Sequence, residues 1–209
     1  MSHLNSNHGF TRAELRLFGA LKTPERIQEF IETIFYHRND TAWSPRRVLK
    51  EGAAHCLEGA LLAAAALRIN GYPPLVMDME ASQDDDHVLA IFQERGAWGA
   101  IAKSNFTGLR YREPVYRTLR ELAMSYFDVY CNLRRERTLR TYSRAVDLSR
   151  FDDRDWMTSM KPVWYIPEYL CDIRHSPLIT RAMAAHLTRL DSRTFAGERV
   201  GMKKGSDGK

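Results

Sequence analysis

An α+β fold is predicted by three features of this chain: two Ser/Thr-Pro pairs that open helices, an alanine-rich stretch closed by Asn-Gly, and two short apolar runs joined by a glycine turn. Thr23-Pro24 supplies a capping hydroxyl and a first-turn proline, and Ile27, Phe30, Ile31 and Ile34 follow at helical spacing. The pattern predicts a helix from about Thr23 to His37. Ser44-Pro45 repeats the signal and predicts a short helix ending near Gly52. A third helix is expected from Cys56 to Asn70, with Gly71 as its stop and Ala60, Ala63, Ala64 and Leu67 as a smooth face for burial. After Tyr72-Pro73-Pro74, the apolar Leu75-Val76-Met77 reads as a buried strand, and Asp84, Asp85 and Asp86 as an exposed acidic turn. His87 to Phe92 and Trp98 to Ala102 read as a hairpin closed by Glu94-Arg95-Gly96-Ala97. Further along, Leu119, Leu122, Ala123 and Tyr126 mark a helix, Val163 to Ile166 a strand, and Ile179 to Leu190 another helix.

With 209 residues, 44% hydrophobic and 27% charged, the chain suits one globular domain. The expected division is a single domain over 1–200, with a core of about 23–130, a C-terminal extension of about 131–200, and a disordered polar tail over 201–209. The longest low-polarity run, Gly59 to Leu67, stops at Arg68 and falls well short of the roughly 18 apolar residues a membrane span needs. Met1 to Phe10 lacks the apolar core of a signal peptide. Cys56, Cys131 and Cys171 make an odd count without CxxC spacing, which argues against a disulfide framework and a zinc site and for a reducing cytoplasm. No metal, cofactor or membrane partner is expected.

The net charge of +5 draws on Arg134, Arg135, Arg137, Arg140 and Arg144, concentrated in one segment. Without a nucleic-acid motif beside it, this run reads as a solvated helix face rather than a phosphate-binding one, and nucleic acid is not the expected partner. Trp156, Trp164, Tyr165 and Tyr169, with Pro162 and Pro167, are expected to pack the C-terminal segment onto the core, a peptide groove being the alternative.

The chemistry concentrates between His55 and Asn105. A cysteine opening a helix meets unpaired backbone N–H groups and the positive end of the helix dipole, which lower a thiol below its free value of about 8.5. A neighbouring imidazole then holds the thiolate and later protonates a leaving amine. His87, at the first position of a strand, is the candidate. Glu58 lies in the first helical turn, where its charge suits the dipole and opposes a thiolate. Trp43 and His55 flank the cysteine and are candidates for the oxyanion site or substrate groove, against ordinary packing for Trp43 and a cap role for His55. Lys103 reads as a solvated strand-end charge.

The stretch His55-Cys56-Leu57-Glu58-Gly59-Ala60-Leu61-Leu62, continuing through Ala66-Leu67-Arg68-Ile69-Asn70-Gly71-Tyr72-Pro73-Pro74, resembles the nucleophile helix of transglutaminase-like proteins. His87, with Gly96 nine and Trp98 eleven residues on, matches the spacing of that family's histidine strand, and the Ser44-Pro45 helix resembles the segment before its cysteine. The resemblance covers about residues 43–105 and implies a papain-like core: a nucleophile helix packed on an antiparallel sheet, here with additional C-terminal helices. It implies acyl transfer by Cys56 with His87, on a peptide or protein substrate. Hydrolysis of an amide is expected before cross-linking, and the choice of water or amine as acceptor stays open. The family places an orienting aspartate four residues after the tryptophan; here that position is Ala102. A two-residue turn at Arg95-Gly96 sets Ser104 opposite His87, so Asn105 and then Ser104 are the candidates for the orienting role. The competing expectation is a degenerate domain that kept the fold and serves protein–protein contact.

Overall fold

A computed structural model describes residues 8–202, so the expectations for Met1 to Asn7 and for the tail from Lys203 onward lie outside the described residues. The order begins with α1 (Arg12–Ala20), α2 (Pro24–Thr33), β1 (Phe35–Tyr36), α3 (Pro45–Glu51), β2 (Ala53–Ala54) and α4 (Cys56–Ile69). Three long strands follow, β3 (Leu75–Ala81), β4 (His87–Glu94) and β5 (Ala97–Ile101), then β6 (Arg112–Tyr116) and α5 (Leu119–Phe127). The chain continues with β7 (Leu139–Ser143), β8 (Val146–Asp147), α6 (Tyr165–Asp172), β9 (His175–Pro177), α7 (Arg181–Ala185) and α8 (Ser192–Glu198). The class is α+β.

Among the described residues a seven-stranded sheet runs β6-β5-β4-β3-β7-β9, with β8 pairing β3 beside β7, and its pairings are antiparallel. β4 is buried from His87 to Phe92 because both sheet faces are covered. Val88, Ala90 and Phe92 share a cluster with α4, while Leu89 and Ile91 share one with Leu122, Ala123 and Tyr126 of α5. Alternation along an extended strand sends successive side chains to opposite faces. The hairpin closes at Arg95 and Gly96, with φ of 52° and 79°, and pairs Glu94 with Ala97. Two positive φ values make the type I′ turn that suits strand twist, and glycine takes the second without penalty.

α4 is buried on all sides from Leu57 to Leu67. Its alanines and Gly59 allow this close approach: a Cβ on Gly59 would stand 2.6 Å from Cβ of Lys103. Lys103 is buried rather than solvated, its Nζ donating to Ile31 O at 2.7 Å and Ile34 O at 2.6 Å. An ammonium on the last carbonyls of α2 satisfies acceptors the helix itself leaves open.

Several elements differ from expectation for identifiable reasons. α2 stops at Thr33 instead of reaching His37, because Phe35 and Tyr36 leave the helix to pair in parallel with Ala53 and Ala54. The run Val163–Ile166 does not form a strand; Ile166 lies in α6, whose first turn accommodates Pro167 because a proline there removes only an N–H that would have no helical acceptor. The helix expected over Ile179–Leu190 breaks after Ala185, since the following segment bonds elsewhere: Leu190 N–H donates to Arg135 O, and Arg137 donates to Thr188 O. The arginine-rich segment is not a helix face. Arg135 sits in a turn at φ 65°, Arg140 lies in β7, and Arg144 donates to the Tyr169 hydroxyl at 2.8 Å.

Candidate functional site

The short β1–β2 pair fixes the loop from His37 to Trp43 against the start of α4. Glu58, fully buried in the first turn of that helix, holds the loop there. Its carboxylate accepts from His37 Nε2 at 2.8 Å, Thr41 Oγ1 at 2.7 Å, Trp43 N–H at 2.9 Å and His55 N–H at 3.2 Å. Four donors satisfy a buried carboxylate that would otherwise be costly. Asn39 N–H donates to His37 Nδ1, so Nε2 is the nitrogen that donates to Glu58. His55 caps α4 without a side-chain cap bond and directs Nε2 to Thr41 O at 2.8 Å.

Cys56 opens α4 as expected, half-buried at the wall of a cavity of about 730 Å³. Its thiol lies against the strand start, donating to Asp86 O at 3.7 Å. The backbone N–H groups of Val88 and Leu57 favour its anion, yet burial dominates and, with the charges of Asp78 and Asp85, pushes the thiol up to about 11. The expected lowering by the helix end is therefore reversed: two N–H donors do not offset desolvation in a pocket walled by carboxylates.

His87 is 4% exposed at the first position of β4. Its Nε2 lies 2.9 Å from Leu109 O. A carbonyl only accepts, so Nε2 carries the proton and the neutral ring leaves Nδ1 bare. No described residue hydrogen-bonds Nδ1, and no buried side-chain nitrogen or oxygen among the described residues lacks a partner, so Nδ1 opens on the cavity that His87 lines. Burial, assisted by Arg112 and opposed by the Leu109 bond, brings the imidazole down to about 4.

The orienting group is thus a backbone carbonyl, and not the side chain of Asn105 or Ser104. The register expected from the hairpin holds as far as Ala90 opposite Ile101 and brings both residues to the cavity wall. Ser104 Oγ turns to accept from Phe106 N–H at 3.0 Å. The Asn105 amide, on a residue 8% exposed, makes no hydrogen bond to a described residue. Ala102, at the family's aspartate position, has its backbone N–H and carbonyl engaged by Gln28, each at 3.0 Å. Leu109 ends a short 3-10 turn, Thr107–Leu109, which is held from the C-terminal side. Glu198 of α8 accepts from Gly108 N–H at 2.6 Å, and the Tyr126 hydroxyl donates to Arg110 O at 2.8 Å.

His55 lines the cavity beside Cys56, whereas Trp43 does not; its ring stands behind His37, with centroids 4.8 Å apart, under the guanidinium of Arg47. Trp43 is part of the packing around Glu58. Among the residues that sequence reasoning missed, Leu109 matters most. Tyr130 and Cys131 also line the cavity, brought from distant elements that no local motif announces, and so do the half-exposed Trp164 and Pro167 of the group whose alternative expectation is a groove. Trp156 is fully buried in the core, as expected for the C-terminal aromatics. No hydrogen bond joins Cys56 to His87, and among the described residues no group of three or more His, Cys, Asp or Glu is placed to hold a metal. No family model matches this chain, and no curated protein matches it.

Proposed function

We propose that this protein is a thiol-dependent acyl-transfer enzyme of the papain-like, transglutaminase-like type, with Cys56 as nucleophile and His87 as general base. One observation carries the reading: His87 presents an unprotonated Nδ1 to the cavity that Cys56 lines, fixed in that tautomer by the Leu109 carbonyl. The resting pair is a neutral thiol and a neutral imidazole, not a preformed ion pair. When an acyl substrate fills the cavity, Nδ1 takes the thiol proton as sulfur attacks the acyl carbonyl. The developing oxyanion is stabilised by N–H groups at the start of α4, which have no intrahelical acceptor. The bond from acyl carbon to the leaving nitrogen or oxygen then breaks, the leaving group takes the proton from His87, and water or an amine resolves the thioester. A cysteine-opened helix lying on an antiparallel sheet, with histidine starting an adjacent strand, supports the family assignment. An exposed cavity with an aromatic rim at Trp164 supports a peptide or protein substrate, and three free cysteines support a cytoplasmic setting.

A second reading, a degenerate domain that binds a peptide without chemistry, is favoured by the missing Cys56–His87 hydrogen bond. Intact-mass analysis after exposure to a panel of p-nitrophenyl acyl esters separates the two. The enzyme reading expects one acyl group per chain, on Cys56, with release of p-nitrophenol and loss of both in Cys56→Ala. Absence of any adduct across the panel leaves the binding domain.

A further inference from the structure

We propose that the cavity selects acyl donors bearing a positively charged side chain, held by the carboxylates of Asp85 and Asp40 with the Asn105 amide aligning the adjacent backbone. This inference rests on the acyl-transfer reading and specifies its substrate. The chain carries a net charge of +5, yet the cavity is lined by Asp40, Asp84, Asp85 and Asp86 against a single Arg38. Two of these carboxylates are spent within the fold: Asp84 accepts from Thr138 Oγ1 at 2.6 Å and Asp86 from Ala81 N–H at 2.7 Å. Asp85 and Asp40 are exposed, and among the described residues their carboxylates take part in no hydrogen bond or ion pair. They approach the cavity from different segments, the turn before β4 and the loop after β1.

Acidic residues alone do not make a site. The independent observation is Asn105, a residue 8% exposed that lines the cavity and whose amide has no hydrogen-bond partner among the described residues, so that its nitrogen and oxygen stay accessible there. An amide offers both donors and an acceptor, which suits the N–H and C=O of a substrate backbone. The charge also bears on the nucleophile. Asp85 is among the groups that disfavour the Cys56 thiolate, so a cation set against Asp85 removes that opposition as it binds. A cationic donor thus helps ionise the thiol it meets, and a neutral one does not.

The test compares Nα-acetyl-lysine and Nα-acetyl-norleucine p-nitrophenyl esters, whose side chains are of similar length and differ in charge. At low ionic strength kcat/KM is expected to favour the lysine ester by about five- to tenfold, a ratio that shrinks with added salt. The ratio is expected to fall towards one in Asp85→Asn and, as a second variant, in Asp40→Asn. Equal kcat/KM values in the wild type overturn the charge selection and leave acyl transfer standing. If neither ester acylates Cys56, acyl transfer fails and calorimetric titration of Cys56→Ala with the two Nα-acetyl amides decides: tighter binding of the lysine amide upholds the preference for a cation, and equal affinity overturns it.

Discussion

Four buried or half-buried histidines among the described residues meet an oxygen acceptor, and the kind of acceptor separates them; His55, on Thr41 O at 2.8 Å, still lies 3.6 Å from the Glu58 carboxylate. His37 gives its Nε2 to the carboxylate of Glu58, and His175 lies 3.0 Å from that of Asp78. His87 meets only the carbonyl of Leu109. A carboxylate both orients an imidazole and supports its charge, whereas a carbonyl orients it with far less support for the cation. A carboxylate partner, absent beside His87, is present on two other histidines, where it ties a loop to α4 and β9 to β3. At the cavity the imidazole is held in one tautomer and kept neutral, the state that the proposed base needs to act on a neutral thiol.

The largest effect expected from breaking this contrast is at His87 itself. His87→Ala should slow acylation of Cys56 by about 10²- to 10⁴-fold, read from p-nitrophenol release, while His37→Gln should leave the base in place and act through stability. A comparable loss in both variants would erase the distinction.

The carboxylate half is tested by stability. Glu58→Ala leaves four donors without the fully buried carboxylate that accepts from them, and should cost about 3 kcal/mol or more in denaturant unfolding. Glu58→Gln, which keeps one acceptor oxygen, should recover part of this. An Ala variant as stable as the wild type would remove Glu58 as the clamp.

The pH dependence of stability sharpens the carbonyl half. Burial takes His87 from its ordinary 6.5 down to about 4. Between those values the unfolded chain binds a proton that the folded one refuses, so stability should fall as pH drops from about 6.5 towards 4, by an amount on the order of 3 kcal/mol at most. His87→Gln should flatten that slope, and an unchanged slope would assign it to other groups.

How much of this was legible in the sequence depends on whether the signal was local. α3, α4 and the β4–β5 hairpin carry their own caps, stops and turn residues, and their boundaries follow closely. The places of Cys56 and His87 were legible for the same reason, each marking the start of an element. The orienting group was missed because a backbone carbonyl has no residue type; only the fold brings Leu109 to the ring. Misassigned elements failed through tertiary competition: Val163–Ile166 has strand-like residues but leads into α6 at Tyr165, and within the arginine segment Leu139–Ser143 pairs as a strand against β3 and β9.

The smallest expected effect lies farthest from the ring. Glu198 holds the turn that ends at Leu109, so Glu198→Ala should lower acylation a few-fold and stability by about 1 kcal/mol, with Glu198→Gln restoring both in part. A fully active Glu198→Ala enzyme would show that the turn holds its place without α8.

The resting state of His87 is open to direct measurement by nitrogen-detected NMR of its imidazole, assigned by comparison with His87→Gln. The expected result at neutral pH is a proton on Nε2, an unprotonated Nδ1, and titration only near pH 4. A ring carrying protons on both nitrogens at neutral pH, or a proton on Nδ1 instead, would contradict the account of a neutral base held by the Leu109 carbonyl.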